Sequence, residues 1–138
     1  MAYLDDIEAI KQLKARYFRL MDTKAWEELL HVFTPDVVVD TSGDGGGVTH
    51  NAADFVDLLR TNIEDVTTVH HGHMPEIELT SATTARAVWA MEDRLWWPEG
   101  GPLNHMHGYG HYLDTYEKTE AGWRITSMTL TRLHREFD

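Results

Sequence analysis

The stretch Thr84-Ala85-Arg86-Ala87-Val88-Trp89-Ala90-Met91-Glu92-Asp93-Arg94-Leu95 changes character at nearly every residue. Ala85, Ala87, Trp89, Met91, Asp93 and Leu95 fall on one face of an extended chain; Thr84, Arg86, Glu92 and Arg94 lie mainly on the other. A period of two marks a strand with one dry face. The exception on that face is Asp93. A buried carboxylate is costly unless it is paired or hydrogen-bonded, so Asp93 needs a partner or a task.

Outward from this strand, the chain divides in two. From Val66 onward it is β-type, in four segments at about 66–79, 83–97, 105–118 and 122–134, joined by turn-rich connections. The first of them carries Val69-His70-His71-Gly72-His73-Met74-Pro75, with an expected break at Gly72 to Pro75. Before Val66 the apolar period is helical. Residues 4–21 place Leu4, Ile7, Ile10, Leu13, Tyr17 and Leu20 on one stripe. A second helix is expected at about 24–34, capped by Thr23, with Trp26, Leu29, Leu30 and Phe33 inward and Thr34-Pro35-Asp36 ending it. A short strand at 37–40 and a mobile turn at 41–47, with four glycines, precede a third helix at about 52–61 capped near Asn51. The turn lacks the Gly-Lys-Ser/Thr ending of a phosphate loop. Helices first and a meander afterwards predict one α+β domain spanning 1–138, with helices packed on a curved antiparallel sheet.

The totals restrict function. Cysteine is absent, which removes disulfides, thiol nucleophiles and cysteine-bound zinc. The formal charge of −11 argues against nucleic acid and anionic membranes as partners. No apolar run approaches the roughly 18 residues of a membrane span, and the acidic N-terminus does not read as a signal peptide. A cytoplasmic protein is expected.

The residues that stand out chemically are Tyr17 on the buried helical stripe, Asp22 at the helix end, His70 at a strand end and Asp93 inside a strand. Imidazole exchanges protons near neutrality, and a neighbouring carboxylate makes it a general base. A tyrosine hydroxyl can donate to a carbonyl oxygen as that oxygen gains charge. Asp22 could equally be a helix-junction cap, and His71 and His73 read as surface residues. The imidazoles of His70-x-x-His73 and of His105, His107 and His111 would suit a transition metal. Their spacing matches no known metal motif, so no metal is expected.

Certain stretches, in order, resemble the SnoaL-like branch of the nuclear transport factor 2-like superfamily. They are Asp6-Ile7-Glu8-Ala9-Ile10-Lys11, Tyr17-Phe18-Arg19, Met21-Asp22-Thr23-Lys24, His70 to Ile77, Glu92-Asp93-Arg94-Leu95, Tyr116-Glu117-Lys118 and Arg132. Within that branch they are most similar to bacterial bile-acid 7α-dehydratase and, more distantly, to scytalone dehydratase. The resemblance implies a cone-shaped α+β barrel, three N-terminal helices on a curved, mostly antiparallel sheet. It also implies proton-transfer chemistry without a cofactor, with His70, Asp22, Tyr17 and Asp93 on catalytic positions and Arg132 on a substrate-binding one. The second pocket histidine of scytalone dehydratase has no counterpart, and the segment 105–111 is richer in histidine than the bile-acid enzyme.

The resulting expectation is a cofactor-independent lyase, a dehydratase acting on a hydrophobic steroid- or polyketide-like carbonyl compound. Trp26, Trp89, Met91 and Leu95 are expected to line an apolar cavity with Tyr17, and His107 and Tyr109 to contribute to substrate binding. The alternatives are a ketosteroid-type isomerase or polyketide cyclase of the same fold, and a non-catalytic module that binds a small ligand. A homo-oligomer, dimer or trimer, is expected by the resemblance.

Overall fold

A computed structural model describes residues 2–138. Helix α1 spans Ala2–Asp22 and buries the stripe Ile10, Leu13, Tyr17, Leu20 and Met21. Short helix α2 is Trp26–Leu30, strand β1 Phe33–Asp40, strand β2 Val48–Thr49 and helix α3 Ala52–Ile63. The long strands follow: β3 Thr67–Leu79, β4 Thr84–Trp96, β5 His105–Thr119 and β6 Gly122–Phe137. They form one six-stranded sheet in the order β2-β1-β6-β5-β4-β3. Only β1 and β6 run parallel; the other neighbours are antiparallel. The helices cover one face of the sheet, and the core lies between them. This is the expected α+β architecture. Among the described residues no helix is long and apolar enough to cross a membrane.

Three local expectations need correction. The second helix is five residues, not about eleven, and Thr23 does not cap it. The Thr23 hydroxyl donates back to the Arg19 carbonyl at 2.8 Å, and Lys24 turns the chain at φ 61°. Thr23 thus serves the end of α1. Phe33 and Thr34 then join β1, with Phe33 opposite Ile125; the register shifts before Val38, and Pro35 sits in that irregular stretch, where a missing N–H does least harm. Strand β3 is continuous through Gly72 to Pro75, with a register shift instead of a break.

The glycine-rich segment 41–47 is also not a loose turn. It holds a 3-10 turn at Ser42–Asp44. A Cβ on Gly43 would lie 2.8 Å from the Leu130 carbonyl oxygen, so close packing on β6 requires glycine there. Asp44 points from this turn into the cavity described below.

Beneath the sheet's inner face lies a buried ion pair. The Lys14 ammonium sits 2.8 Å from Asp114 Oδ2, both side chains fully enclosed. Burial pulls the Lys14 pKa down while Asp114 opposes that shift. Three rings surround the ammonium, Tyr112 at 3.8 Å and Tyr17 at 4.5 Å being nearest. Tyr116 donates to Asp114 at 2.7 Å, and Trp89 Nε1 donates to the Tyr116 oxygen at 2.9 Å.

Candidate active site

Strand parity places the central imidazole. His70 pairs in register with Asp93 on β4, which pairs with Gly108 on β5, all facing inward. Asp22, in the last turn of α1, meets them from the helical layer. Its carboxylate accepts three hydrogen bonds: from the Thr68 hydroxyl at 2.9 Å, the His70 backbone N–H at 2.8 Å, and His70 Nδ1 at 2.7 Å. Asp22 is therefore no simple helix cap. Against a carboxylate, Nδ1 carries the proton, so in the neutral ring Nε2 keeps its lone pair. Nε2 is 3.7 Å from Asp93 Oδ2. Phe18 lies nearly parallel to the imidazole, their ring centroids 6.4 Å apart.

Asp93 is held by Arg132 through two hydrogen bonds, 2.7 and 2.9 Å. Arg132 also grips Asp44 through two, 2.6 and 3.0 Å. These charge-assisted pairs answer the question that Asp93 raised in the sequence. Burial works to lower the pKa of the largely enclosed guanidinium, but the two carboxylates together outweigh it and raise the value, so the group remains charged. Gly108 makes the pairing possible. A Cβ there would lie 2.5 Å from Arg132 Nη1 and 2.7 Å from Asp93 Oδ1.

His70, Asp93, Arg132, Tyr17 and Leu95 open onto one cavity of about 370 Å³, within the usual range for small-molecule sites. Its wall is mainly apolar, with Phe55, Leu59, Met106 and Leu130 among the contributors. Tyr112 lines it too, its hydroxyl 3.4 Å from that of Tyr17. Burial pushes both phenols well above their ordinary pKa, so both are neutral hydrogen-bond donors.

Five expected lining residues lie elsewhere. His107 and Tyr109 have odd parity on β5 and emerge on the outer face, where His107 Nε2 is 3.4 Å from Glu92 and the Tyr109 hydroxyl 3.4 Å from His107 Nδ1. Trp89 faces inward, but its ring serves Tyr116 and a shallower cleft beside α1. Trp26 is enclosed by core packing. Met91 lies behind the guanidinium, its sulfur 3.8 Å from Arg132 Nη1. Arg132 is in the cavity wall with its donors committed to Asp44 and Asp93, which makes it a brace more than a free anion binder.

The sequence reading missed Tyr112, Asp44, Gly108 and Thr68. Period two along β5 puts Tyr112 in step with Gly108 and Gly110, a usable signal. Asp44 gave none, because a glycine-rich turn predicts no contact. His70 and His73 also have different partners: the His70 ring meets Asp22 and Asp93, whereas His73 is exposed with Glu92 at 3.8 Å. Among the described residues no group of three or more His, Asp or Glu has metal-holding geometry.

The fold and this site together define a class. The family model for the SnoaL-like domain matches residues 2–129, and the chain belongs to that family, within the nuclear transport factor 2-like superfamily. Among curated proteins, FGR4 of Gibberella zeae, inferred to be a cyclase, is 25% identical over 134 residues, covering 91% of this chain and 89% of the relative. Among solved structures, the Kfla4162 protein of Kribbella flavida superposes with a TM-score of 0.88 at 24% identity, covering 97% and 95% of the two chains. A protein proposed to be a scytalone dehydratase, from Novosphingobium aromaticivorans, gives 0.87 at 22%, covering 98% and 89%. A hexachlorocyclohexane dehydrochlorinase, LinA type 2, gives 0.87 at 17%, covering 99% and 91%. At these identities the superpositions speak for the fold.

Proposed function

We propose that the protein is a cofactor-independent lyase, a dehydratase that removes water from a hydrophobic carbonyl compound of steroid or polyketide type. The observation that carries this reading is the Asp22–His70 hydrogen bond of 2.7 Å, which leaves Nε2 as the basic atom at a largely apolar cavity. His70 Nε2 takes the proton from the carbon beside the carbonyl. Asp22 orients the ring and offsets the imidazolium charge. The neutral Tyr17 hydroxyl donates to the oxygen that becomes enolate, supported from behind by the Tyr112 hydroxyl 3.4 Å away. Collapse of the enolate expels the β-hydroxyl as the imidazolium returns its proton to it. The proton and hydroxide leave together as water, and His70 is again neutral. Asp93, braced by Arg132, stands by Nε2 as a fixed counter-charge through both transfers.

The same groups would serve an isomerase, where the proton returns to a different carbon, or a cyclase, where the enolate attacks a second carbonyl. The likeness to FGR4 supports keeping the cyclase in view. The reading includes a small hydrophobic substrate and a homo-oligomer formed through the outer sheet face, where Leu113 and Val38 are about two-fifths exposed (43% and 40%). A screen of β-hydroxy carbonyl compounds, steroid-like ones included, tests the function by appearance of the conjugated carbonyl chromophore. Product with a shifted double bond and no water lost would select the isomerase.

A further inference from the structure

The cavity contains two arginines, and they are not equivalent. Arg132 directs Nε and both terminal nitrogens at Asp44 and Asp93. Arg135, further along β6, lines the same cavity, yet its one ion pair among the described residues is a 3.4 Å approach to Asp44 Oδ1. That oxygen already accepts from Arg132 Nε at 2.6 Å. Arg135 thus retains unused donors. Its side chain is 34% exposed, against 9% for His70, so it stands at the rim while the imidazole stands deep. Its guanidinium carbon lies 5.7 Å from the centre of the Phe137 ring, a contact that holds the head at the cavity edge. Leu103, Phe137 and Trp97 supply apolar surface to the same cavity.

We propose that Arg135 is a specificity residue, and that the cavity takes an amphipathic ligand whose outer end carries an anionic group, a carboxylate foremost. The apolar body would lie in the cavity, its reacting end at His70, and the anion would dock on the guanidinium fork. Such a ligand needs a local cation, because a protein of charge −11 repels anions at long range. The proposal rests on the reading of this cavity as the substrate site and adds the substrate's charge to it.

Two fluorescent probes test it without a known substrate. Anilinonaphthalene sulfonate and N-phenyl-1-naphthylamine share an aromatic frame and differ by one sulfonate. Each is titrated into wild type, Arg135→Gln and Arg135→Glu. Arg135→Gln should weaken the sulfonate about tenfold, the scale of one charge-assisted pair at about 1.4 kcal/mol. Arg135→Glu should weaken it further, and the neutral amine should stay within about twofold in both, having no charge to lose. Leu95→Trp, which fills the cavity, should weaken both probes. An unchanged sulfonate affinity in Arg135→Gln, or a parallel fall of the amine, overturns the assignment while leaving the cavity reading intact. Failure of both probes to bind, or indifference of both to Leu95→Trp, would count against the cavity reading and the assignment together.

Discussion

His70 and His71 are neighbours in the chain and belong to different environments. His70 points inward: Asp22 holds Nδ1, Phe18 lies nearly parallel to the ring, and only 9% of the side chain meets solvent. His71 points outward, 61% exposed, with Glu92 no nearer than 3.9 Å. His73 and His107 join it, at 3.8 and 3.4 Å from the same Glu92. The outer face therefore holds more imidazoles than the inner one and less organisation. Abundance of histidine does not make a site. What makes one is desolvation, a fixed partner and an orphan nitrogen facing a cavity, and strand parity decides which histidine receives them.

The largest contrast should come from the support under the inner face. Lys14→Met leaves Asp114 buried without its cation, and loss of one partner of an enclosed pair costs about 3–5 kcal/mol. Denaturant unfolding should show that loss. On the outer face, Glu92→Gln removes only loose, partly exposed pairs and should change stability by no more than about 0.5 kcal/mol. Equal losses would erase the distinction between the two faces.

Next in size is Asp22→Asn. It removes the charge behind His70 but not the base, so turnover should fall, by less than the about 10²–10⁴-fold attributed to a general base itself. Measured kcat on a substrate from the screen checks this; a loss as large as that of His70→Ala would assign Asp22 the base's role. Gly108→Ala comes after that. Its methyl would press on Arg132 and Asp93, so about 1–3 kcal/mol of stability should go, read from the melting temperature. A neutral result would mean that the Asp93–Arg132 pair has slack.

The smallest effect at neutral pH is in the phenols. Tyr17, Tyr112 and Tyr116 have pKa values raised by burial. The folded state then holds protons that the unfolded state has released. Stability from these groups is complete below the unfolded value, about 10, and declines as pH rises beyond it. Ultraviolet titration should find three tyrosines that resist ionisation until alkaline unfolding.

Much of this was legible in the chain. The alternation in 84–95 gives the register of β4 and puts Asp93 on the dry face. The helical stripe puts Tyr17 inside. The Asp22–His70 pair came from the resemblance; neither residue's local pattern names the other as partner, because the contact joins a helix end to a strand across 48 positions. The lining residues fared worst. His107 and Tyr109 sit among histidines and aromatics that look chemical as a string, but their parity matches Glu92, not Asp93. Trp89 has the right parity and still misses the cavity, because a sheet face is longer than the pocket resting on it. Asp44 and Arg135 were invisible because their pairing depends on how a glycine-rich turn folds onto β6.

The most direct test sets His70→Ala beside His107→Ala on the substrate that the screen returns. Each side chain is replaced by the same methyl, so the comparison isolates position. His70→Ala should lose about 10²–10⁴-fold in kcat with an intact far-ultraviolet spectrum, the range for removing a general base, while His107→Ala should stay within about twofold. Near-wild-type turnover in His70→Ala, or a matching collapse in His107→Ala, would contradict the assignment of proton transfer to the inner histidine.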